Sequence, residues 1–326
     1  MQSLCKCRLT ALAGDVDQSL VLGRARRAAD RSRALRRTAG TALLAGAAQA
    51  ATPRRQVGTD ARSGVSGLAA EADGTGTALV VHDNKRSGQP RLSRLAYGAD
   101  PATVTPLAWE GAEPVDLEAV EAIPGVPGEY LAVAARGIVY RLKVAGATAT
   151  VVDYAPLPAI GAGDDFEGFA LVARDGRFAA LWADRGEGKD RPATLYAAPL
   201  AFAAWGEPRF GAVIRRSFTA PYPADAGTRH ISDISVTDSG RILVGSASDA
   251  GDDGPFDSAV TDAGQVVLTA AGRVRISLTA RPVPLGTFPG HKVEAVECLP
   301  GTGDALLGTD DENRGGYVRT APYCGG

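Results

Sequence analysis

The stretch that decides the fold is Phe166-Glu167-Gly168-Phe169, because its pattern recurs at four other places in the chain. Each copy reads apolar, Ser or Glu, small or short polar, apolar. The other copies are Val65-Ser66-Gly67-Leu68, Leu117-Glu118-Ala119-Val120, Ile231-Ser232-Asp233-Ile234 and Val293-Glu294-Ala295-Val296. The second positions of successive copies are separated by 52, 49, 65 and 62 residues, which are intervals that suit one blade of a propeller.

A Gly-containing turn and a second apolar strand follow each copy, as in Asp175-Gly176 and then residues 178–182. Apolar strands joined by such turns are hairpin signals, and single hairpins are unstable until several pack together. A ring of hairpins leaves few exposed sheet edges. We therefore predict an all-β fold, a β-propeller over residues 61–320 with five blades. The two long intervals leave room for a sixth blade.

The first 50 residues form a basic leader, with nine Lys or Arg against three Asp, and the rest of the chain is acidic. Arg36-Arg37 is followed by a short apolar run and by Ala48-Gln49-Ala50, a pattern typical of an export signal. A disordered or helical Ala/Arg extension and a transit peptide are the alternatives. With residues 51–60 as a linker and 321–326 as a tail, we predict a periplasmic or secreted propeller.

Two cysteines, Cys298 and Cys324, lie beyond the leader near the end of the chain. They form a disulfide outside the cytosol or remain two unrelated thiols. No stretch reaches the ~18 apolar residues of a membrane span, so we predict no transmembrane segment. The net charge of −2 argues against a nucleic-acid partner.

Strand direction predicts which face of the propeller carries the chemistry. The recurring motif opens the inner strand of its blade and the second strand runs back, so the end of the second strand lies on the motif's face. Charged and polar groups cluster at these positions. The predicted ligand-binding residues on this face are Lys85, Arg136, Arg185, Arg314, His230 and His291.

The second positions of the five motifs should converge on the central channel. They are Ser66, Glu118, Glu167, Ser232 and Glu294. Three carboxylates at close range must be protonated, paired with Lys292, Arg136 or Arg185, or bridged by a cation. Calcium takes six to eight oxygen ligands from such a mixed set, so these residues are the predicted Ca²⁺ site. In the alternative, each acid caps backbone N–H groups of a neighbouring blade or pairs with Arg.

The ordered series of motifs resembles the SdiA-regulated propeller family and the related phytase-like family, named for an "esterase-like activity of phytase". The resemblance covers nearly all of residues 60–320, and residues 231–249 and 310–316 are most similar to the phytase-like pattern. It implies an exported propeller with bound calcium, and the phytase-like name implies phosphoester hydrolysis.

Two functions from different classes follow. In the first, a calcium-dependent phosphoesterase uses Glu167 or Asp165 as base and holds the phosphate with Arg185, Arg314 and Lys85. In the second, a non-catalytic platform binds a small molecule or an envelope component at the same mouth. The sequence has no G-x-S-x-G elbow, H-E-x-x-H, P-loop or Rossmann glycine pattern. This lack of a committed catalytic motif favours the platform.

Overall fold

A computed structural model describes residues 52–72 and 76–325, and these residues form 23 strands. In chain order the strands are β1 (Arg55–Gln56), β2 (Gly67–Ala70), β3 (Thr77–Val81), β4 (Leu92–Ala96), β5 (Thr103–Pro106), β6 (Ala108–Glu110), β7 (Leu117–Ala122), β8 (Glu129–Ala134), β9 (Ile138–Ala145), β10 (Thr148–Pro156), β11 (Phe166–Arg174), β12 (Arg177–Asp184), β13 (Ala193–Phe202), β14 (Pro208–Phe210), β15 (Ile214–Phe218), β16 (Thr228–Val236), β17 (Arg241–Ser248), β18 (Asp257–Leu268), β19 (Val274–Leu278), β20 (Pro284–Thr287), β21 (Val293–Cys298), β22 (Ala305–Thr309) and β23 (Tyr317–Ala321). Two short 3₁₀ helices span Ala61–Ser63 and Glu312–Arg314. Within these described ranges there is no helix of the length and apolar character that crossing a bilayer requires. The predicted export leader, residues 1–50, lies outside the described residues.

The strands form five sheets whose inner strands, β2, β7, β11, β16 and β21, contact one another in a ring. The predicted five-bladed β-propeller is confirmed. The long intervals hold no sixth blade. Instead, blade 3 carries both β14 and β15 against β13, and blade 4 carries both β19 and β20 against β18. Extra outer strands therefore account for the added length of these two repeats.

The ring is closed by the segment that sequence reasoning took for a linker. β1 pairs antiparallel with β23, with Arg55 opposite Val318, so the start of the described chain supplies the outermost strand of the last blade. The predicted boundaries at residues 60 and 320 are therefore too narrow. A two-residue strand has too little pattern to be recognised in sequence, although closing the ring removes an exposed sheet edge.

A β-bulge recurs at the Glu position of the motif. In blade 2 the pairing passes from Leu117 to Ala119, so Glu118 has no partner on β8. The same skip leaves out Glu167 in blade 3 and Glu294 in blade 5. A bulge adds one unpaired residue and redirects its side chain. Each bulge turns one side chain out of the ladder towards the axis, and this shared geometry explains why the motif is repeated.

Neighbouring inner strands are joined in two ways. At Gly67 and Gly168 the backbones come so close that a Cβ on either glycine would lie within 3 Å of backbone atoms of the next blade. Elsewhere a side chain of one blade accepts a backbone N–H of the next, as Glu297 does from Ala70 (2.8 Å) and Asp233 from Val296 (2.7 Å). Of the residues that replace glycine in the motif, Asp233 and Ala295 lie at or beside a junction of the second kind, whereas Ala119 lies against Gly67.

The hydrophobic core is divided among the blade interfaces. Five buried clusters each combine residues of two adjacent blades. At the interface of blades 2 and 3, Trp182 is fully buried and stacks on Tyr196 with ring centroids 5.6 Å apart. Burial of this apolar surface holds the ring together and leaves the axial channel to polar groups.

Candidate functional site

The upper mouth is defined as the end of the channel where the inner strands begin, and Arg229 lies at its centre. The Arg229 Nη1 atom is 3.0 Å from Glu294 Oε1 and 3.5 Å from Glu167 Oε1, and its Nη2 atom binds Asp249. One guanidinium therefore touches motif glutamates of two blades that are not adjacent. The side chains of Glu167 and Glu294 therefore meet at this guanidinium.

Glu167 is held by a second guanidinium as well. Arg185 Nη1 donates to Glu167 Oε1 at 3.0 Å, and Arg185 Nη2 lies 3.2 Å from Asp165. Asp165 also lies 4.0 Å from Arg136. Both residues predicted as a catalytic base are thus engaged by Arg185. A carboxylate whose lone pairs are shared among guanidinium N–H groups is poorly placed to accept a proton from a substrate.

Glu294 is compensated by Lys292, whose side chain is almost fully buried. Lys292 Nζ lies 3.2 Å from Glu294 Oε1 and also contacts Glu312. Burial opposes the charge of Lys292, but the carboxylates of Glu294 and Asp310 outweigh it and raise the pKa of the amine. Burial also raises the pKa of Glu294 to about 8, although Lys292 and Arg229 lower it.

Glu118 has no such compensation. Within residues 52–72 and 76–325, its carboxylate has neither an ion pair nor a hydrogen bond. Burial and then the charges of Glu167, Asp116, Asp83 and Glu294 raise the pKa of Glu118 well above its ordinary range. The two cations in this part of the mouth form no ion pair with it, because Lys85 pairs with Asp116 at 3.1 Å and Arg229 pairs with acids of blades 3 and 5, although both cations feel the charge of Glu118 at longer range.

Further acids surround this carboxyl. Burial and then the charge of Glu294 raise the pKa of Asp83 to about 6. Burial raises the pKa of Asp310 to about 7, with Lys292 acting against it. The half of the mouth formed by blades 1, 2 and 5 therefore holds more carboxyl groups than cations, and its acids resist ionisation.

The predicted ligand-binding residues divide into exposed and internal groups. Lys85, Arg136 and Arg314 are exposed at the rim, and Arg314 lies over the Phe256 ring and donates to the Asp253 carbonyl (2.6 Å). His291 is half-buried and its Nδ1 donates to Asp311 at 2.6 Å.

His230 is buried, and both of its ring nitrogens are used inside the fold. Its Nδ1 accepts from Ala220 N at 3.2 Å, and its Nε2 donates to the Gly188 carbonyl at 2.6 Å. This histidine therefore fastens loops of blades 3 and 4, and has no free nitrogen for a ligand.

One of the two motif serines is hydrogen-bonded inside the fold, and the other is not. Ser232 Oγ donates to the Val293 carbonyl at 2.8 Å and links blade 4 to blade 5. Ser66 is buried, and its Oγ has no hydrogen-bond partner in the described part of the chain. Of the five predicted calcium ligands, Glu118 and Ser66 thus have no protein partner among the described residues, whereas Glu167 and Glu294 pair with cations through Oε1 and Ser232 donates to Val293.

No group of three or more His, Cys, Asp or Glu side chains among the described residues is arranged to hold a metal ion by itself. The donor chemistry suits calcium, since free carboxylate and hydroxyl oxygens are hard ligands. A cation at Glu118 would therefore take most of its remaining ligands from water or from a bound molecule.

Sequence reasoning missed Arg229, which organises the mouth. A signal was present: blade 4 carries Ser232 where three other blades carry Glu, and a basic residue stands three positions earlier. When a blade has a cation but no Glu at the motif position, the cation is expected to pair with the glutamates of other blades. Asp83 and Asp310 follow the ends of β3 and β22, and no signal in the sequence indicates that they join the acid cluster.

The fold and this mouth define a five-bladed propeller with an acidic axial channel. No family model matches the chain, and no curated protein matches it. Among solved structures, the chain is similar to the GH43 protein BlXynB from Bacillus licheniformis and to a mutant of it. The mutant matches with 13% identity and a TM-score of 0.40, covering 66% of this chain and 43% of that chain. The parent protein matches with 13% identity and a TM-score of 0.38, covering 71% and 47%. The chain thus spans less than half the length of either structure.

Proposed function

We propose that this protein is a non-catalytic binding platform whose upper mouth holds a calcium ion at Glu118 and, through it, an acidic small molecule or envelope component. The observation that carries the proposal is the unpaired Glu118 carboxyl among Asp83, Asp116, Glu167 and Glu294. Such a carboxyl is stabilised as an anion only when a cation approaches it.

The arrangement of charges supports a ligand-bridging cation. Since Glu118 belongs to no cluster of three or more metal ligands among the described residues, a calcium ion there keeps open positions that suit carboxylate or phosphate oxygens of a ligand. Lys85 and Arg136 stand exposed at the rim of the same mouth, where they add charge-assisted hydrogen bonds to an acidic ligand. The engagement of Glu167 and Asp165 by Arg185 favours the platform over the phosphoesterase.

Export is part of the proposal. The structure joins Cys298 and Cys324 in a disulfide, with Cα atoms 5.7 Å apart. Disulfides persist outside the cytosol, which supports a periplasmic or secreted location. Mass measurement of the protein from its native host tests this: a mature chain that begins near Ala51 is expected, and an intact leader contradicts export.

The calcium site is tested by thermal melting with millimolar calcium and with excess EDTA. Binding stabilises by RT ln(1 + [Ca]/Kd), or about 2.7 kcal/mol at a hundredfold excess over Kd. We expect the melting temperature to rise by several degrees with calcium, and Glu118→Gln to remove most of this rise. Asp253→Asn, in the acidic loop of blade 4, is the matched control and should keep the rise.

Superimposed melting curves of the wild type in both conditions would contradict the calcium site. The same protein is then assayed with a generic phosphomonoester. The platform predicts no turnover with calcium bound. Turnover that is abolished by EDTA and by Glu167→Gln would replace the platform with the phosphoesterase.

A further inference from the structure

A cavity of about 470 Å³ opens at the lower mouth, defined as the end of the channel where the inner strands finish. Its walls are largely apolar, with Val126, Leu171, Val236 and Leu299 among the lining residues. The Cys298–Cys324 disulfide lies at its edge and fixes the tail of the chain there. A concave apolar cavity with a few convergent polar groups is the usual form of a small-molecule site.

Four acidic residues line this cavity: Glu129 pairs with Arg141, Asp238 is exposed, and Glu121 and Glu297 belong to the Glu-Ala-Val-Glu sequence of blades 2 and 5. Glu121 accepts the backbone N–H of Leu171, and Glu297 accepts that of Ala70 at 2.8 Å. Glu297 is only 7% exposed, and its second carboxyl oxygen has no partner in the described part of the chain. Glu121 and Glu297 therefore each have capacity left for a further donor.

The carboxyls of Glu121 and Glu297 affect each other's ionisation. Burial and then the charges of Glu297 and Asp233 raise the pKa of Glu121 well above its ordinary range. Burial raises the pKa of Glu297 to about 7, although the Ala70 amide lowers it. No Lys, Arg or His is found among the described residues that line the cavity. The lower mouth therefore has an excess of acid that no protein cation neutralises.

We propose that the lower cavity binds a small organic ammonium ion, with the ammonium group between Glu121 and Glu297 and its apolar body against Leu171, Val126 and Leu299. An ammonium group has three donors, enough to reach both carboxyls, and one positive charge to offset their repulsion. The apolar part of the cavity wall favours an ion with an apolar body over a bare metal ion. This site is independent of calcium at the upper mouth.

The test uses n-hexylammonium as the probe, titrated into the full chain by calorimetry in the presence of EDTA. We expect one site per chain that binds hexylammonium at least tenfold more tightly than the neutral 1-hexanol or the anionic hexanoate. Glu297→Gln should weaken hexylammonium binding at least tenfold. The glutamine keeps an oxygen that accepts from Ala70, so the link between blades 5 and 1 is preserved.

Glu207→Gln, which removes an exposed acid paired with Arg209 on blade 3, is the control and should bind as the wild type does. If Glu297→Gln fails to fold, the three ligands on the wild type decide the matter. Equal binding of hexanol and hexylammonium, or no heat beyond dilution with the latter, overturns the proposal. Equal weakening in Glu207→Gln and Glu297→Gln does so too.

Discussion

The two ends of the channel hold buried acids in different ways. At the upper mouth, Glu167 and Glu294 are neutralised by Arg185 and Lys292 of their own blades, and both are also contacted by Arg229 of blade 4. At the lower mouth, acids are held by single backbone N–H groups of the next blade, as Glu297 is by Ala70. A backbone N–H satisfies one lone pair but carries no net charge, so it fastens the blades without offsetting repulsion.

The comparison distinguishes acids with a structural role from acids that are available to a ligand. Acids that are paired with cations have their charge compensated within the protein. Acids that lack a cation, Glu118 above and Glu121 with Glu297 below, keep raised pKa values and free lone pairs. The candidate ligand sites are therefore those where a carboxyl has no paired cation.

Removing Arg229 should have the largest effect. Arg229→Met leaves the acids of blades 3 and 5 without their shared partner, and loss of one member of a buried ion pair costs about 3–5 kcal/mol. Urea denaturation measures the loss. Arg209→Met, which breaks the exposed pair with Glu207 and the contact of Arg209 with the Trp205 ring, should cost only about 1 kcal/mol. Similar losses in the two variants would mean that Arg229 does not organise the mouth.

The disulfide should stabilise the lower end by a smaller amount. Cys298 and Cys324 are 26 positions apart, and a loop of this size contributes about 3 kcal/mol by restricting the unfolded chain. Replacing both cysteines by serine should lower the free energy of unfolding by this amount in denaturant titrations. A double variant as stable as the wild type would show that the tail needs no covalent link.

Stability of the calcium-free protein should fall as the pH rises from about 5.5 to 8. The pKa values of Asp83 (about 6), Asp310 (about 7) and Glu294 (about 8) are raised in the folded state. The folded protein therefore binds more protons than the unfolded chain, whose carboxyls titrate near 4, and deprotonation of the fold in this window destabilises it.

Melting temperature against pH, in EDTA, measures this fall, for which we expect several degrees. Calcium should restore stability at pH 8 and have little effect at pH 5.5, where the acids are protonated. A profile that is flat across the window, or that rises, would mean that the acids of the mouth ionise without cost.

The smallest expected effect on stability distinguishes Ser235 on β16 from Ser66, which directly precedes β2. Ser235 Oγ accepts the Cys298 N–H at 3.1 Å, so Ser235→Ala leaves that donor unpaired and should cost about 1 kcal/mol. Ser66 Oγ is buried without a partner, so Ser66→Ala should be neutral or slightly stabilising in EDTA. With calcium present, Ser66→Ala should lower the stabilisation that calcium provides. A clear loss of stability for Ser66→Ala in EDTA would reveal a structural bond of Ser66.

Much of the fold was readable in the sequence because the bulge imposes a local rule. A blade that turns one residue towards the axis must carry the same short pattern each time, and Glu118, Glu167 and Glu294 were found in this way. The face that carries the charges followed from strand direction alone.

The distribution of charges at that face was not readable. Arg229 reaches Glu294 across 65 positions of sequence, and the pairing depends on where two side chains end in space. β1 was missed for a similar reason, since its two residues acquire meaning only from β23 beside them. The motif predicts a role for the first Glu of Glu-Ala-Val-Glu but none for the second, so the lower cavity was not predicted.

The central claim is that Glu118 lacks a compensating cation until calcium binds, and a ¹³C NMR titration of the glutamate side-chain carboxyls tests it most directly. The Glu118 resonance is assigned by its loss in Glu118→Gln. We expect it to titrate well above the ordinary midpoint of about 4.3 in EDTA, and to move down when calcium is added. A Glu118 carboxyl that titrates at the ordinary midpoint in EDTA, and does not respond to calcium, would contradict the claim.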